Sequence, residues 1–286
     1  MSKISAVMSV YNEAKLLPGL LENISPHVDE IVIVDGGPVG PSTDGTKEIA
    51  KSCDKALYQS GKFATLDGAW DMATQRNTGI SAATGGVLFF LSADMYFANL
   101  ELLRPVVDAG EYKIIFCTTI EFWEDTRHLR LYSADTDALT VPSNILQPIV
   151  IDKSLSPYCE EDGSFNVTGA ANNDRMLIPQ IVKYHLGWIR PFDKQSEKHI
   201  RHVKQHRWGD FGEEKLKGGE RGLTQWAIQH VMSYDGIPSI AFSGTLPKEL
   251  DQHKDMRYDD GAKATIDEFE RRFKISLFTS KETEAS

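Results

Sequence analysis

The sequence predicts an α/β protein: a mostly parallel sheet with helices on both faces, followed by a less regular second half. Three observations predict it. Short β-branched apolar runs, of the kind found in strands buried on both faces, alternate with stretches of helical spacing. The connections between them are short. Polar residues also gather at the ends of the apolar runs: Ser9, Asn12 and Glu13 after the first, Asp35 after the second, Asp94 after the fourth. In open α/β sheets, ligands bind beyond the carboxyl ends of the strands.

Ile4 to Val10 reads as the first strand, with turn-forming residues Tyr11-Asn12-Glu13 after it. Leu16, Leu17, Leu20, Leu21 and Ile24 recur at helical spacing, and Pro18 is tolerated in a first helical turn. Ile31 to Val34 is a second strand, closed by Asp35-Gly36-Gly37. A Pro/Gly loop leads to Thr43-Asp44-Gly45-Thr46 and a short helix through Ile49 and Ala50. Ala56 to Gln59 is a third strand. Trp70, Ala73, Asn77, Ile80 and Ala83 share a helical face from about Asp67 to Ala83, which Gly85-Gly86 ends. Val87 to Leu91 is a fourth strand, ending in Ser92-Ala93-Asp94; a helix near Leu100 to Val107 and a strand from Lys113 to Thr118 follow. Beyond Glu121 polar loop-like stretches surround short apolar pieces. Lys183 to Arg207 is basic, Leu223 to Met232 is helical, and the tail holds one amphipathic helix with a polar end that frays.

Composition narrows the function classes. The chain has 286 residues, 41% hydrophobic and 25% charged, ordinary values for a globular protein that exclude disorder as the main state. No apolar run approaches a membrane span. Three cysteines, Cys53, Cys117 and Cys159, have no metal-type spacing and suit a reducing compartment. With no visible signal peptide, a cytoplasmic location is expected. A net charge of -10 disfavours general nucleic-acid binding, although the basic stretch leaves a local patch open. There is no Gly-x-Gly-x-x-Gly turn, Gly-Lys-Ser/Thr loop, Cys-x-x-Cys, His-Glu-x-x-His or Gly-x-Ser-x-Gly, so dinucleotide dehydrogenases, P-loop enzymes, zinc sites and esterases are disfavoured.

Four segments, in consistent order over about the first 120 residues, carry a resemblance. They are Val7-Met8-Ser9-Val10-Tyr11-Asn12-Glu13; Ile31 to Gly37 with Thr43-Asp44-Gly45-Thr46; Gln75-Arg76-Asn77-Thr78-Gly79-Ile80; and Gly85-Gly86 through Asp94. Together they resemble the opening of family-two glycosyltransferases. Tyr184-His185-Leu186-Gly187-Trp188-Ile189-Arg190-Pro191 resembles a His-Gly-Trp-x-Arg segment of one branch of that family. The resemblance implies the Rossmann-like glycosyltransferase A-type fold. It also implies transfer of a hexosyl or pentosyl group from a nucleotide-sugar, a UDP-sugar first, to an acceptor hydroxyl, with inversion and with Mn2+ or Mg2+. Residues 1–120 would then bind the donor, 121–250 the acceptor, and 251–286 form the C-terminal helix and tail.

The same resemblance distributes roles. Asp94 is the remaining acid of an Asp-x-Asp metal motif that here reads Ser92-Ala93-Asp94; its alternative is a helix cap. Hard cations prefer such carboxylate oxygens. Ser9, Asn12 and Asp35 would line the nucleotide pocket, with helix capping the alternative for Asn12. Gly36 replaces the second acid many relatives carry beside Asp35, which leaves the base open. Arg76 would approach the pyrophosphate, or else be a solvated helix residue. His185 would complete the metal site or face the diphosphate, or else be structural, and Arg190 offers bidentate donors to phosphate. Trp188 and Trp208 would stack on a sugar or base, or pack in a core. Inversion needs a general base. Glu161 and Asp162 are preferred, and Glu124, beside Glu121 and Asp125, is the other candidate. The acceptor is open among glycan, lipid, protein and a modified DNA base. A non-catalytic nucleotide-sugar-binding protein and, behind it, a nucleotidyltransferase are the competing classes.

Overall fold

A computed structural model describes residues 2–66, 68–123, 125–130, 148–160, 165–206, 218–232, 239–274 and 277. In chain order the first elements are β1 (Ile4–Val10), α1 (Leu17–Ile24), β2 (Glu30–Asp35), α2 (Thr46–Lys51), β3 (Ala56–Ser60), α3 (Met72–Ala82) and β4 (Val87–Ser92). Then come β5 (Met95–Ala98), α4 (Leu103–Ala109), β6 (Ile114–Trp123), β7 (Asp125–Arg130), β8 (Val150–Asp152), β9 (Tyr158–Cys159) and β10 (Phe165–Asn166). The last are β11 (Arg175–His185), α5 (Phe192–His206), α6 (Gly219–Met232), β12 (Ser239–Ala241) and α7 (Ala262–Phe273). The chain divides into two compact units. The first comprises Met1–Glu121, Leu131–Gly187 and Ser243–Lys254; the second comprises Phe122–Arg130, Trp188–Phe242 and Asp255–Ser286.

In the first unit the strand order is β6-β8-β4-β1-β2-β3. β1 lies parallel between β2 and β4, and β2 is parallel to β3. β8 inserts antiparallel between β4 and β6, placing Ile151 beside both Leu88 and Ile114. β11 runs parallel to β6 and antiparallel to β5. The central strands are apolar at nearly every position because both faces are covered. One face presents Val7, Val32, Val34, Leu88 and Phe90 to Ile80 and Ala83. The alternate residues Met8, Ile31, Ile33, Phe89 and Leu91 are buried as well, and α1 adds Leu17, Leu20, Leu21 and Ile24 to the core. α3 reaches the sheet closely at Gly79, where an added Cβ would stand 2.7 Å from Val7 Cγ1.

The second unit packs α5, α6 and α7 around Trp123, Phe192, Ile228, Val231, Tyr258, Phe269 and Leu277. Its strands β7 and β12, far apart in sequence, pair antiparallel with Ile240 opposite Leu129. Among the described residues, no helix is long and apolar enough to cross a membrane.

The elements expected up to β4 are present, with shifted edges. α3 begins at Met72, five residues later than expected, because Asp71 caps it by accepting from Thr74 N at 2.9 Å while Trp70 bridges back to Ala64. A 3-10 turn at Leu100–Leu102 precedes α4, and β6 continues past Thr118 to Trp123. The expected basic stretch is no single face. Lys183 and His185 end β11, Arg190 lies in the turn after it, and the later residues enter α5; Arg207 is outside the described residues, as is Trp208.

Candidate active site

Asp94 occupies a two-residue turn, Ala93–Asp94, between β4 and β5. No helix begins there, so the capping alternative is excluded. The turn is tied to the end of β11: Leu186 N donates to the Asp94 carbonyl at 2.9 Å, and Met95 pairs with His185 in the β5–β11 ladder. On the other side of β11, His185 stands opposite Glu121 of β6. Three distant stretches of sequence thereby place one imidazole between two carboxylates. His185 Nδ1 lies 2.7 Å from Glu121 Oε2, and Nε2 lies 3.5 Å from Asp94 Oδ2. Both carboxylates are buried, Asp94 and Glu121 each at 6% exposure. Burial alone would lower the His185 pKa, but the charges of Glu121 and then Asp94 outweigh it and raise it to about 9. The two acids thus favour a proton on the ring, and a divalent cation binding at Nε2 would have to displace it.

This donor set fits the divalent cation that the resemblance implies. A metal-binding histidine commonly gives its other ring nitrogen to a carboxylate that fixes the tautomer. Glu121 stands in that relation to Nδ1, leaving Nε2 facing Asp94. The 3.5 Å separation is longer than a hydrogen bond and leaves the two atoms as neighbouring donors. Among the described residues no group of three or more His, Cys, Asp or Glu forms a complete metal cage. Mg2+-type ions often take one or two carboxylates and complete their shell with substrate phosphates and water.

At the ends of β1 and β2 a second group forms. Asn12 adopts a left-handed backbone, φ 56°. Its N–H donates to Ser42 Oγ at 2.7 Å, and its Oδ1 accepts from Thr43 N at 3.0 Å. The residue at the α1 N-cap is Leu16, so Asn12 pins a loop and does not cap a helix. Asp35 is fully buried. Ser42 donates to it through its hydroxyl and its backbone N–H, and Tyr58 OH donates at 2.6 Å. Burial and then the Asp35 carboxylate push the Tyr58 phenol up to about 12. Its oxygens face Ser42 and Tyr58, so Asp35 holds the loop at the end of β2. Ser9 is half-buried on β1, between Val34 and Ser92. Gln75, not singled out in the sequence as a site residue, is fully buried and donates to the carbonyls of Val10, Val34 and Gly36. It locks the two strand ends together.

Arg76 points to the β9–β10 hairpin. Its guanidinium lies 5.2 Å from the Phe165 ring centroid and 3.8 Å from Cys159 Sγ. Beside it, Asn77 clamps Cys159 through both backbone groups, at 2.9 and 2.8 Å. Arg190 is half-buried in the second unit. Trp188, also in that unit, packs near Trp123 with Lys198 over its ring, so the core alternative describes it. Glu124, Glu161 and Asp162, the expected bases, lie outside the described residues. Asp125, at 1% exposure, accepts from Arg127 and pairs with His128. Glu121, grouped in the sequence with Glu124 and Asp125 as an alternative base, is set against His185 in the structure. Only its register across from His185 could reveal it, and register is not local information.

The family model for Glycosyl transferase family 2 matches residues 5–175. The chain belongs to glycosyl transferase family 2. Among curated members and relatives, glycosyltransferase AglE of Haloferax volcanii is 33% identical over 96 residues, covering 32% of this chain and 30% of AglE. A TPR repeat-containing protein of Synechococcus elongatus is 36% identical over 94 residues, covering 33% of this chain and 21% of that protein. This family-2 chain thus matches less than a third of either relative's length. Among solved structures, S. aureus TarS 1–349 has a TM-score of 0.43 at 16% identity, covering 81% of this chain and 71% of that one. M. tuberculosis glucosyl-3-phosphoglycerate synthase has a TM-score of 0.31 at 19% identity, covering 41% and 45%.

Proposed function

We propose that this family-2 chain transfers a sugar from a nucleotide-sugar to an acceptor hydroxyl, with inversion and with help from Mn2+ or Mg2+. One observation carries the reading: His185 set between Asp94 and Glu121 beyond the end of β4. When bound, the cation would act as a Lewis acid that offsets charge on the departing diphosphate. Asp94 and His185 Nε2 would hold it, and Glu121 would orient the ring. The loop fixed by Asn12, Asp35 and Ser42, with Ser9 beneath it, would receive the nucleotide, and Arg76 and Arg190 remain the proposed phosphate donors. The acceptor oxygen would attack the anomeric carbon as the bond to the diphosphate oxygen breaks. Its proton would pass to a carboxylate, for which Glu161, Asp162 and Glu124 are the candidates. TarS has been crystallised with UDP and with UDP-GlcNAc, and the mycobacterial synthase with Mn2+ and UDP-glucose. Those ligands belong to those proteins; for this chain a UDP-sugar is the first donor to try.

The decisive experiment follows nucleoside diphosphate release from purified protein and UDP-sugars with Mn2+. Asp94→Asn is expected to lower metal-dependent turnover by about 10²-fold or more, the scale of losing one well-placed electrostatic group. Its circular dichroism should match the wild type. Full activity in that variant would remove the metal role, and no diphosphate release by the wild type with any donor would favour a binding protein.

A further inference from the structure

The β5–β11 ladder that carries His185 is braced from its opposite face by a short, later segment of the first unit. Side chains alternate across a strand. His185 and its β5 neighbour Met95 leave one face, and the directly paired Tyr184 and Tyr96 leave the other. Both tyrosines are buried, and both hydroxyls meet residues 243–254. Tyr184 OH donates to the Thr245 carbonyl at 3.0 Å. Tyr96 OH lies 3.0 Å from His253 Nε2 and donates to the Leu16 carbonyl, at the start of α1, at 2.8 Å. Burial and then the charge of Asp94 raise the Tyr96 phenol pKa above its usual value, so this hydroxyl stays a donor. The later segment forms a 3-10 turn, Lys248–His253, with Leu250 fully buried. Its Glu249 carboxylate accepts from Asn23 Nδ2 at 3.4 Å. Asn23 in turn holds both backbone groups of Phe97, at 3.0 and 2.8 Å. Gly19 of α1 allows the close fit: a Cβ there would overlap Gln252 Nε2 and stand 2.9 Å from the Tyr96 hydroxyl.

β5 follows Asp94 directly, has four residues, and among the described residues pairs only with β11. A ladder that short holds its strands weakly by itself. The tyrosine hydroxyls, the Asn23 amide and the 3-10 turn supply what the ladder lacks, one residue from His185 and two from Asp94. We propose that residues 243–254 are a brace that sets the separation of Asp94 from His185, with Tyr184, Tyr96 and His253 as positioning residues for the cation. The inference rests on the metal reading above and deepens it: two donors 3.5 Å apart are held in register from the far side of the sheet. Metal sites depend on such outer contacts because affinity follows ligand placement.

The test has two readouts on the full chain, well below its melting temperature. One is Mn2+ affinity with saturating UDP, from the electron paramagnetic resonance signal of the free ion. The other is hydrogen exchange at the Leu186 amide, which donates to the Asp94 carbonyl. Tyr184→Phe removes one hydroxyl and keeps the ring; His253→Leu removes the contact to Tyr96. Each should weaken Mn2+ binding about 10-fold. Each should also speed Leu186 exchange about 5–10-fold, the scale of one lost hydrogen bond, while amides of β1 and β2 exchange as in the wild type. His253→Gln can present its amide nitrogen where Nε2 stands, so it should keep wild-type values of both. A tie that serves stability alone would lower the melting temperature and leave the Mn2+ affinity unchanged, and that result overturns the proposal. So does exchange that quickens equally in every strand, or Leu186 exchange that does not change. Should His253→Leu not fold, Tyr184→Phe decides by the same two readouts. Absence of Mn2+ binding by the wild type would count against the metal reading alone, and the exchange arm would still decide whether the brace fixes the Asp94 turn to β11.

Discussion

Glu121 and His253 are two buried side chains, each bonded to a neighbour that bears on its chemistry. Glu121 holds His185 at 2.7 Å. Glu121→Gln keeps the shape but replaces a charged acceptor with a neutral amide, so the ring loses its fixed tautomer. The expected result is a 10–100-fold weaker response to Mn2+, read as the metal concentration for half-maximal turnover; an unchanged value would make Glu121 a packing residue. His253 is 2% exposed, and its Nε2 lies 3.0 Å from Tyr96 OH. That hydroxyl donates to Leu16 O at 2.8 Å, so Nε2 carries the ring hydrogen and the imidazole is neutral. Burial, with help from Lys15, lowers its pKa from 6.5 to about 4. The folded state thus binds the proton more weakly than the unfolded state. Stability is complete above pH 6.5 and declines as pH falls toward 4, by up to roughly 3 kcal/mol. Urea midpoints at pH 7, 5.5 and 4.5 measure this, and His253→Gln should flatten the dependence; an equal slope in both proteins would assign it to other groups.

At the scale of elements, α3 ties the ends of β1 and β2 together through Gln75. Gly79→Ala would gain about 1 kcal/mol of helix propensity. The new Cβ would meet Val7 Cγ1 at 2.7 Å and Val34 Cγ2 at 3.3 Å, both in a packed core. Overpacking of that kind costs about 1–3 kcal/mol, so the net change is expected to be destabilising. A raised denaturation midpoint would show that the helix can lift away freely. The parallel half of the fold was legible because its signals are local: the apolar runs of β1, β2 and β4 announce strands buried on both faces, and the leucines of α1 announce an amphipathic helix. β5, β8 and β11 were not legible. β5 and β8 have four and three residues, too few for periodicity, and β11 carries Lys183 and His185 where a buried strand normally carries valine. For the same reason Asp94 and His185 could be found as residues, while their meeting through Glu121 depended on strand pairing between segments far apart in sequence.

For the whole molecule, donor and cation should act as folding ligands. At concentrations about 100-fold above the dissociation constant, a ligand that binds only the folded state adds about 2.7 kcal/mol. UDP with Mn2+ is therefore expected to raise the melting temperature by several degrees, and Asp94→Asn should erase the manganese-dependent part; a shift equal with and without manganese would uncouple the cation from the nucleotide. The sheet also carries a consequence for biogenesis. Leu88 of β4 finds its lateral neighbour in Ile151, more than sixty positions downstream. Until a ribosome has released that later segment, the growing polypeptide must display an open, oily strand margin. Such a margin is a template for intermolecular association. A product truncated near residue 110 should accordingly precipitate or bind holdase chaperones, however favourable its own four-stranded kernel.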